Sequence, residues 1–489
     1  MALQPVLGKD TSVEESTAST WTYTEEEESS TTITSDGKVV MCHRERTFIS
    51  TSSVEYLSGP PTPRSGILGY IGRKLGGGFT NEPEHMLECK EGESSCRLSA
   101  NAQSLLRDIF KDVDPSDVVD YHVHLVGHGD SGSDCYLHPS TKSWWFPIRR
   151  LKTLVFMAAA QVPQMDGGDI LYTSRLIRLV KHYIPANVLK PIGKGFLNPK
   201  CCLLPFDKFY SRDGKADINK TTLYVPNDYA LTLAHDMPDC FYPFCSVNPY
   251  RSDALEELER CALAGCTVIK WLPNSMGIDP ADEKCIRFYK KVCELDMTIL
   301  VHVGDEHAVN AAFLDNTLGN PLKLRKPLDC GVKIIAAHCA TEGTGKDLDN
   351  PGSKETSNFS LLLRLMREEK YENLLFADIS AICSFRRIQY LPELLEARDI
   401  HSRLVYGSDY PVPAINIVVL TSRLLSYRLI TAEQKEVLDE LYSYNPLLFD
   451  LACKRCLVGP NGGFFPPNVF KAHPNLPPFK LPLPVKKSV

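Results

Sequence analysis

Eight apolar runs of strand length recur along the chain: VVDYHVHL, KCCLLPFD, FYPFCSVNPY, TVIKWLPN, TILVHVGD, KIIAAHCA, LLFADISAI and RLVYGSDYPVP. Most are separated by stretches with helical periodicity, so the repeating unit reads as βαβ. In SDALEELERCALAG, Ser252 or Asp253 offers an N-cap, Leu255, Leu258, Ala262 and Leu263 supply the apolar face, and Gly265 ends the helix. Thr431 with Gln434 forms the pattern of a capping box. Eight such units in about 340 residues predict an α/β fold, a (β/α)8 TIM barrel, with a doubly wound open sheet as the alternative.

The remainder of the 489 residues frames that barrel. Residues 1–65 are rich in Ser, Thr and Glu and poor in apolar groups, which predicts a disordered arm. Residues 66–114 form an N-terminal extension whose glycine cluster, GYIGRKLGGGFT, lacks the lysine and hydroxyl of a phosphate-cradling loop and reads as a flexible joint. The barrel is expected over 115–456, with a helical insertion at 143–186 after the first strand. Residues 457–489 are proline-dense and predict an extended tail lying on the surface or free in solvent.

Composition narrows the function classes. A net charge of −6 built from interspersed acids and bases gives no basic stripe for nucleic acid or anionic lipid, which points to a small-molecule substrate. The longest apolar stretch, Thr153 to Val162, is half the length of a bilayer-spanning helix, so no membrane span is expected. The start of the chain lacks the basic and apolar blocks of a secretory signal, and the 17 cysteines are scattered through candidate core elements. A cytoplasmic protein without disulfides is the expectation. The insertion and tail offer surfaces through which it could form a homodimer.

The chemistry-bearing residues gather at strand ends. His122 and His124 are two positions apart in the first run and would face the same way along a strand. His302, His338 and Asp409 close the fifth, sixth and eighth runs, and a barrel brings all these ends to one mouth. Buried imidazoles and carboxylates are costly unless paired or metallated, so a divalent metal site is the reading favoured over coincidence. Asp120 is a candidate to support the ligands from behind. Lys270, Arg386 and Arg387 are candidate contacts for an anionic substrate, and Trp271 and Asn274 could line the mouth. His128 and His307 read as loop or helix residues, Cys339 as core, and Cys453-Lys454-Arg455-Cys456 as two helix-end cysteines without a redox or zinc role.

From about Val118 to Lys454 the sequence resembles the amidohydrolase superfamily, in its amidohydrolase-related branch that includes aminocarboxymuconate-semialdehyde decarboxylase. DYHVHL, the stretch from FYPFC to WLPN, VHVGD, AAHCA, YGSDYP and NPLLFDLA carry the resemblance in order and spacing. It implies a TIM barrel and one divalent metal, usually zinc with manganese as an alternative, held by the residues that match as His122, His124, His302 and Asp409. It also implies that His338 works on the substrate, and that Lys270, if carboxylated, would bridge a second metal.

Three imidazoles and a carboxylate leave an open coordination position where a water's pKa falls to about 7. Asp409 is then the candidate proton carrier and His338 the group that polarises a carbonyl or steadies an oxyanion. The first expectation is a hydrolase cleaving a C–N or C–O bond of an amide, lactone or ester. The second is a lyase decarboxylating an aromatic or unsaturated acid, and the third a barrel kept only as a binding scaffold.

Overall fold

The computed structural model describes residues 29–33, 39–43, 98–141, 145, 168–185, 188, 198–307, 312–415 and 417–480. The chain divides into two units, Met1–Gly69 and Tyr70–Val489. In the first, Ser29–Ile33 pairs antiparallel with Val39–His43, setting β-branched Thr32 opposite Val40 and Ile33 opposite Val39. The rest of the arm, the glycine cluster and most of the 143–186 insertion lie outside the described residues.

In the second unit eight parallel strands follow one another: β1 (Val119–His124), β2 (Lys200–Leu204), β3 (Phe241–Pro243), β4 (Val268–Trp271), β5 (Thr298–His302), β6 (Lys333–Ala337), β7 (Leu375–Asp378) and β8 (Leu404–Val405). Strands β1 to β3 form one ladder and β4 to β8 another, each in sequence order. Both seams between the ladders are bonded. Cys245 bridges Ile269 between β3 and β4, and on the other side Tyr121 N–H donates to Tyr406 O at 3.0 Å while Val123 bridges Tyr410. The order 1-2-3-4-5-6-7-8 therefore returns to its start, as a barrel requires.

Helices connect the strands: α1 (Ala100–Ile109) precedes β1, then come α2 (Gly168–Lys181), α3 (Asn227–Asp236), α4 (Ala254–Leu263), α5 (Ile286–Glu294), α6 (Arg325–Asp329), α7 (Asn358–Met366) and α8 (Leu391–Glu396). After β8 come α9 (Thr421–Ser426), α10 (Ala432–Tyr444) and α11 (Pro446–Cys456). The capping box of Thr431 and Gln434 opens α10 as the spacing predicts. The face assigned to α4 needs correction. Ala254, Leu258 and Cys261 are buried, whereas Leu263 is 76% exposed. Positions 254, 258 and 261 stand at i, i+4 and i+7, while Leu263 is five residues past Leu258 and rotates off that stripe.

Inside the barrel the strands carry an apolar floor and a polar mouth. Tyr121, Leu204, Phe244, Val268, Leu300, Ile335, Phe376 and Val405 form the floor, and Leu476 from the C-terminal tail is buried among them. Phe479 stacks on Tyr242 at 4.3 Å and packs beside Tyr121 at 5.3 Å. The tail is thus not laid loosely on the surface over its described length. Its prolines forbid a helix or a central strand, yet Val469 and Phe470 are fully buried and His473 N–H donates to Tyr121 Oη at 3.0 Å. The described cysteines from Cys135 onward are free thiols, and those of Cys245, Cys261 and Cys266 sit within 4.8 Å of one another in the core; burial holds Cys245 and Cys266, and the hydrogen bond with Cys245 together with burial holds Cys261, well above the usual thiol range. Among the described residues no helix is long and apolar enough to cross a membrane.

Candidate metal centre at the barrel mouth

Moving two residues along a strand keeps a side chain on the same face. Val268 of the floor thereby becomes Lys270 of the mouth, Leu300 becomes His302, and Phe376 becomes Asp378. Strand β1 reaches the same result through an irregularity, because its pairing with β2 shifts register between Asp120 and Val123. The shift allows Tyr121 to fill the floor while the next residue, His122, joins the mouth.

Three candidate ligands meet there. His122 Nε2 is 3.4 Å and His124 Nε2 3.0 Å from Asp409 Oδ1, and the three ligand atoms lie within 4.8 Å of one another. His122 Nδ1 is 2.8 Å from Asp378 Oδ2, so it carries the proton and leaves the Nε2 lone pair facing the mouth. Asp378 also takes the N–H groups of His338 at 2.8 Å and Ser380 at 3.0 Å, together with the Ser380 hydroxyl, on its other oxygen. With its hydroxyl proton given to Asp378, Ser380 Oγ accepts from His338 Nδ1 at 2.7 Å. That arrangement leaves His338 Nε2 unprotonated.

The remaining candidates fall differently. His302 lines the mouth, its ring 5.1 Å from that of His338, but its Nε2 is turned to Asp305 O at 3.3 Å and Glu306 Oε2 at 3.5 Å. It stands outside the three-donor cluster. Lys270 is fully buried and donates to His122 Nε2 at 2.9 Å. Arg386 and Arg387, read together from the sequence, part company: both bind Glu342, but the Arg386 side chain is nearly half exposed whereas Arg387 is buried, with Nη1 lacking a hydrogen-bond partner. Trp271 and Asn274 are buried supports, the first donating to Val247 O at 2.8 Å and the second to Gly304 O at 3.0 Å, rather than lining groups. His128 and His307 stand in loops near carboxylates, Asp130 at 3.4 Å and Glu342 at 3.7 Å respectively.

Burial sets the protonation of this cluster. It holds the imidazoles of His122 and His338 well below the ordinary range, with the Lys270 and Arg387 cations respectively adding to the effect. His124 is lowered mainly by burial, and His302 falls to about 3 through burial, Arg387 and Lys270. Burial also brings Lys270 down to about 8 against the pull of Asp378, Asp409 and Glu306. Burial pushes the Asp409 carboxyl up, but the His124 hydrogen bond, the neighbouring His122 and His124 rings and the Lys270 cation outweigh it and hold the group below its usual value. Neutral imidazoles beside an ionised carboxylate are the donor forms a divalent cation needs. The donor set therefore fits a metal, on the condition that Lys270 gives up its bond to His122 Nε2.

The backbone is bent to make this geometry. His338 and Asp409 adopt left-handed φ of 57° and 65°, a conformation uncommon outside glycine. Each costs on the order of 1–3 kcal/mol and persists only where the surroundings over-determine it. Gly407 lets β8 close on β1: a Cβ there would fall 2.7 Å from His122 Cβ.

Sequence reasoning passed over Asp378, although it ends an apolar run just as His302 and Asp409 do. That position at a strand's carboxyl end was the available signal. It took Asp120 to share the face of His122; instead Asp120 Oδ1 accepts the backbone N–H of His122 at 3.0 Å and of Ser408 at 2.8 Å, because of the irregularity in β1.

An eight-stranded parallel barrel with histidines and an aspartate at its carboxyl-end mouth has these side chains where TIM-barrel enzymes keep their active sites. Residues 210–418 match the amidohydrolase family, and in that segment the chain is similar to it. The matched segment holds Lys270, His302, His338, Asp378 and Asp409, while His122 and His124 precede it. No curated protein matches the sequence. Among solved structures, an uncharacterised TIM-barrel protein from Bordetella bronchiseptica is 10% identical, covering 68% of this chain and 99% of its own, with a TM-score of 0.39. A 4-oxalomesaconate hydratase from Rhodopseudomonas palustris is 12% identical over 68% of this chain and 96% of its own, with a TM-score of 0.32. A 5-carboxyvanillate decarboxylase from Novosphingobium aromaticivorans, solved with manganese bound, is 10% identical over 65% and 93%, with a TM-score of 0.33. These likenesses are distant, and no reaction or metal is carried over from them.

Proposed function

We propose that this chain is a metal-dependent hydrolase that adds water across a C–N or C–O bond of a small amide, lactone or ester. The observation that carries the reading is the convergence of His122 and His124 on Asp409 in a buried mouth whose imidazoles are neutral. His122, His124 and Asp409 would hold one divalent cation, zinc foremost and manganese the alternative, with His302 completing the set once its ring leaves Asp305 and Glu306. Bound there, such an ion lowers the pKa of water and polarises a carbonyl.

The protein's own groups account for the proton traffic. Asp409 is positioned to take a proton from water and return it to a leaving nitrogen or oxygen. His338, left with an unprotonated Nε2 by Ser380, faces the same mouth and can accept a hydrogen bond or a proton from a substrate hydroxyl or the attacking water. Asp378 keeps His122 in the tautomer whose lone pair points inward. Lys270 either contacts an anionic substrate or, carboxylated on its neutral amine, would bridge a second ion.

A second reading, decarboxylation of an aromatic or unsaturated acid, is favoured by one observation. Arg387, buried with Nη1 unpartnered, and the Lys270 ammonium together supply two cations to one mouth, which suits a carboxylate substrate. Metal analysis of the purified protein followed by a panel of lactones, amides and carboxylic acids tests both. Water consumption without carbon dioxide supports the hydrolase, and carbon dioxide release supports the lyase. Less than a tenth of an equivalent of bound ion, with no turnover on added zinc or manganese, would leave only a scaffold.

A further inference from the structure

Behind β8, on the side away from the mouth, three ionisable side chains are shut off from water: Asp120 on β1 is 0% exposed, and Asp450 and Lys454 on α11 are 1% exposed each. Lys454 is the residue between the two cysteines of the CKRC stretch. Its Nζ donates to Asp450 Oδ2 at 2.5 Å and to the backbone carbonyl of Gly407 at 2.7 Å. Asp450 also accepts from Tyr406 Oη at 3.1 Å. One helical turn of α11 thus grips two consecutive residues of the segment that leads into Asp409.

The other side of that segment is gripped by β1. Asp120 Oδ1 takes the N–H of Ser408 at 2.8 Å and that of His122 at 3.0 Å, and Asp409 N–H donates to His122 O at 2.8 Å. Gly407 approaches His122 too closely for any Cβ. Residues 406–409 are therefore held between α11 and β1, and the next link is Asp409 itself, in a left-handed backbone that its surroundings must impose.

We propose that Lys454 and Asp450, acting with Asp120, are positioning residues that set Asp409 and His122 at metal-binding distance. The role rests on the metal-site reading above. Its physical basis is an asymmetry in buried ion pairs. A dry pair gains little stability over well-packed apolar groups of the same volume, and replacing both partners is often neutral or stabilising. A pair whose lysine is spent on a backbone carbonyl has a geometric use that an apolar replacement cannot reproduce.

The proposal therefore predicts that stability and metal affinity separate. The full chain is titrated with Co(II), whose visible absorption reports its coordination, and unfolded in urea. The double variant Asp450→Leu/Lys454→Met is expected to unfold at a urea midpoint no lower than the parent's. It should nonetheless bind Co(II) at least tenfold more weakly, with a shifted visible band. Lys454→Arg, which keeps a cation against Asp450, should recover part of that loss. A double variant that binds Co(II) within twofold of the parent, with a superimposable band, overturns the proposal. Should the double variant not fold, Lys454→Arg and Asp450→Asn taken singly decide by the same two readings. A parent protein that binds no Co(II) ends the metal-site reading itself, and the positioning role with it; loss confined to the variants does not.

Discussion

The two ends of the barrel are built from the same eight strands and have opposite chemistry. At the floor, Val268, Leu300 and Phe376 face one another with Leu476 and Phe479 of the tail packed beneath. Two residues further along the same strands, Lys270, His302 and Asp378 face one another across the mouth. The floor is where burial of apolar surface stabilises the fold. The mouth holds titratable groups that burial makes costly, and two residues there have left-handed backbone. Stability and function are thus separated by one strand repeat, a rise of about 6 to 7 Å.

The sharpest way to break this division is Asp409→Asn. It should lower turnover by about 10³-fold or more, the upper range for loss of a general base, while the urea midpoint moves little. Near-normal rates would remove Asp409 from its role as proton carrier. The converse change is Phe244→Ala, which empties a fully buried site in the floor beside Phe479 of the tail. It should cost about 3–5 kcal/mol in urea denaturation and leave metal content per folded molecule unchanged. A fall in that content would show that floor and mouth are coupled.

A smaller effect is expected at the join between support and ligand. Asp378→Asn keeps the shape but weakens the hold on His122 Nδ1 and should reduce metal affinity about 10- to 100-fold, the usual range for the partner of a ligating histidine. Competition against a chromophoric chelator measures it, and an unchanged affinity would reduce Asp378 to a core residue. The smallest effect is in pH dependence. Burial raises the Asp450 carboxyl to about 6, so the folded chain holds this proton more tightly than the unfolded one. Its contribution is fully present below the unfolded value near 4 and is lost as pH rises through about 6. Urea midpoints measured from pH 4.5 to 6.5 should therefore fall more in the parent than in Asp450→Asn; parallel curves would contradict the shift.

Much of this architecture could be read from the chain before its folding was known. The strand-length runs were visible because buried parallel strands are continuously apolar, and His122-Val123-His124, His302 and Asp409 stood out as polar residues at the ends of such runs. Asp378 had the same signature within LLFADISAI and was absorbed into the run. Lys454 was hidden for a different reason. A lysine four residues after an aspartate reads as a solvated helix pair, and only the packing shows that Pro446–Lys454 is buried on every side.

What the order of residues determined alone is the alternation of strands and helices and the chemical types at the strand ends, because both are local and periodic. Tertiary structure decided the rest. It turned His302 Nε2 toward Asp305, sent Arg386 outward and Arg387 inward, and drew a proline-rich tail under the barrel. Those outcomes depend on which distant segments compete for the same buried donor, acceptor or cavity, and no window of sequence contains both competitors.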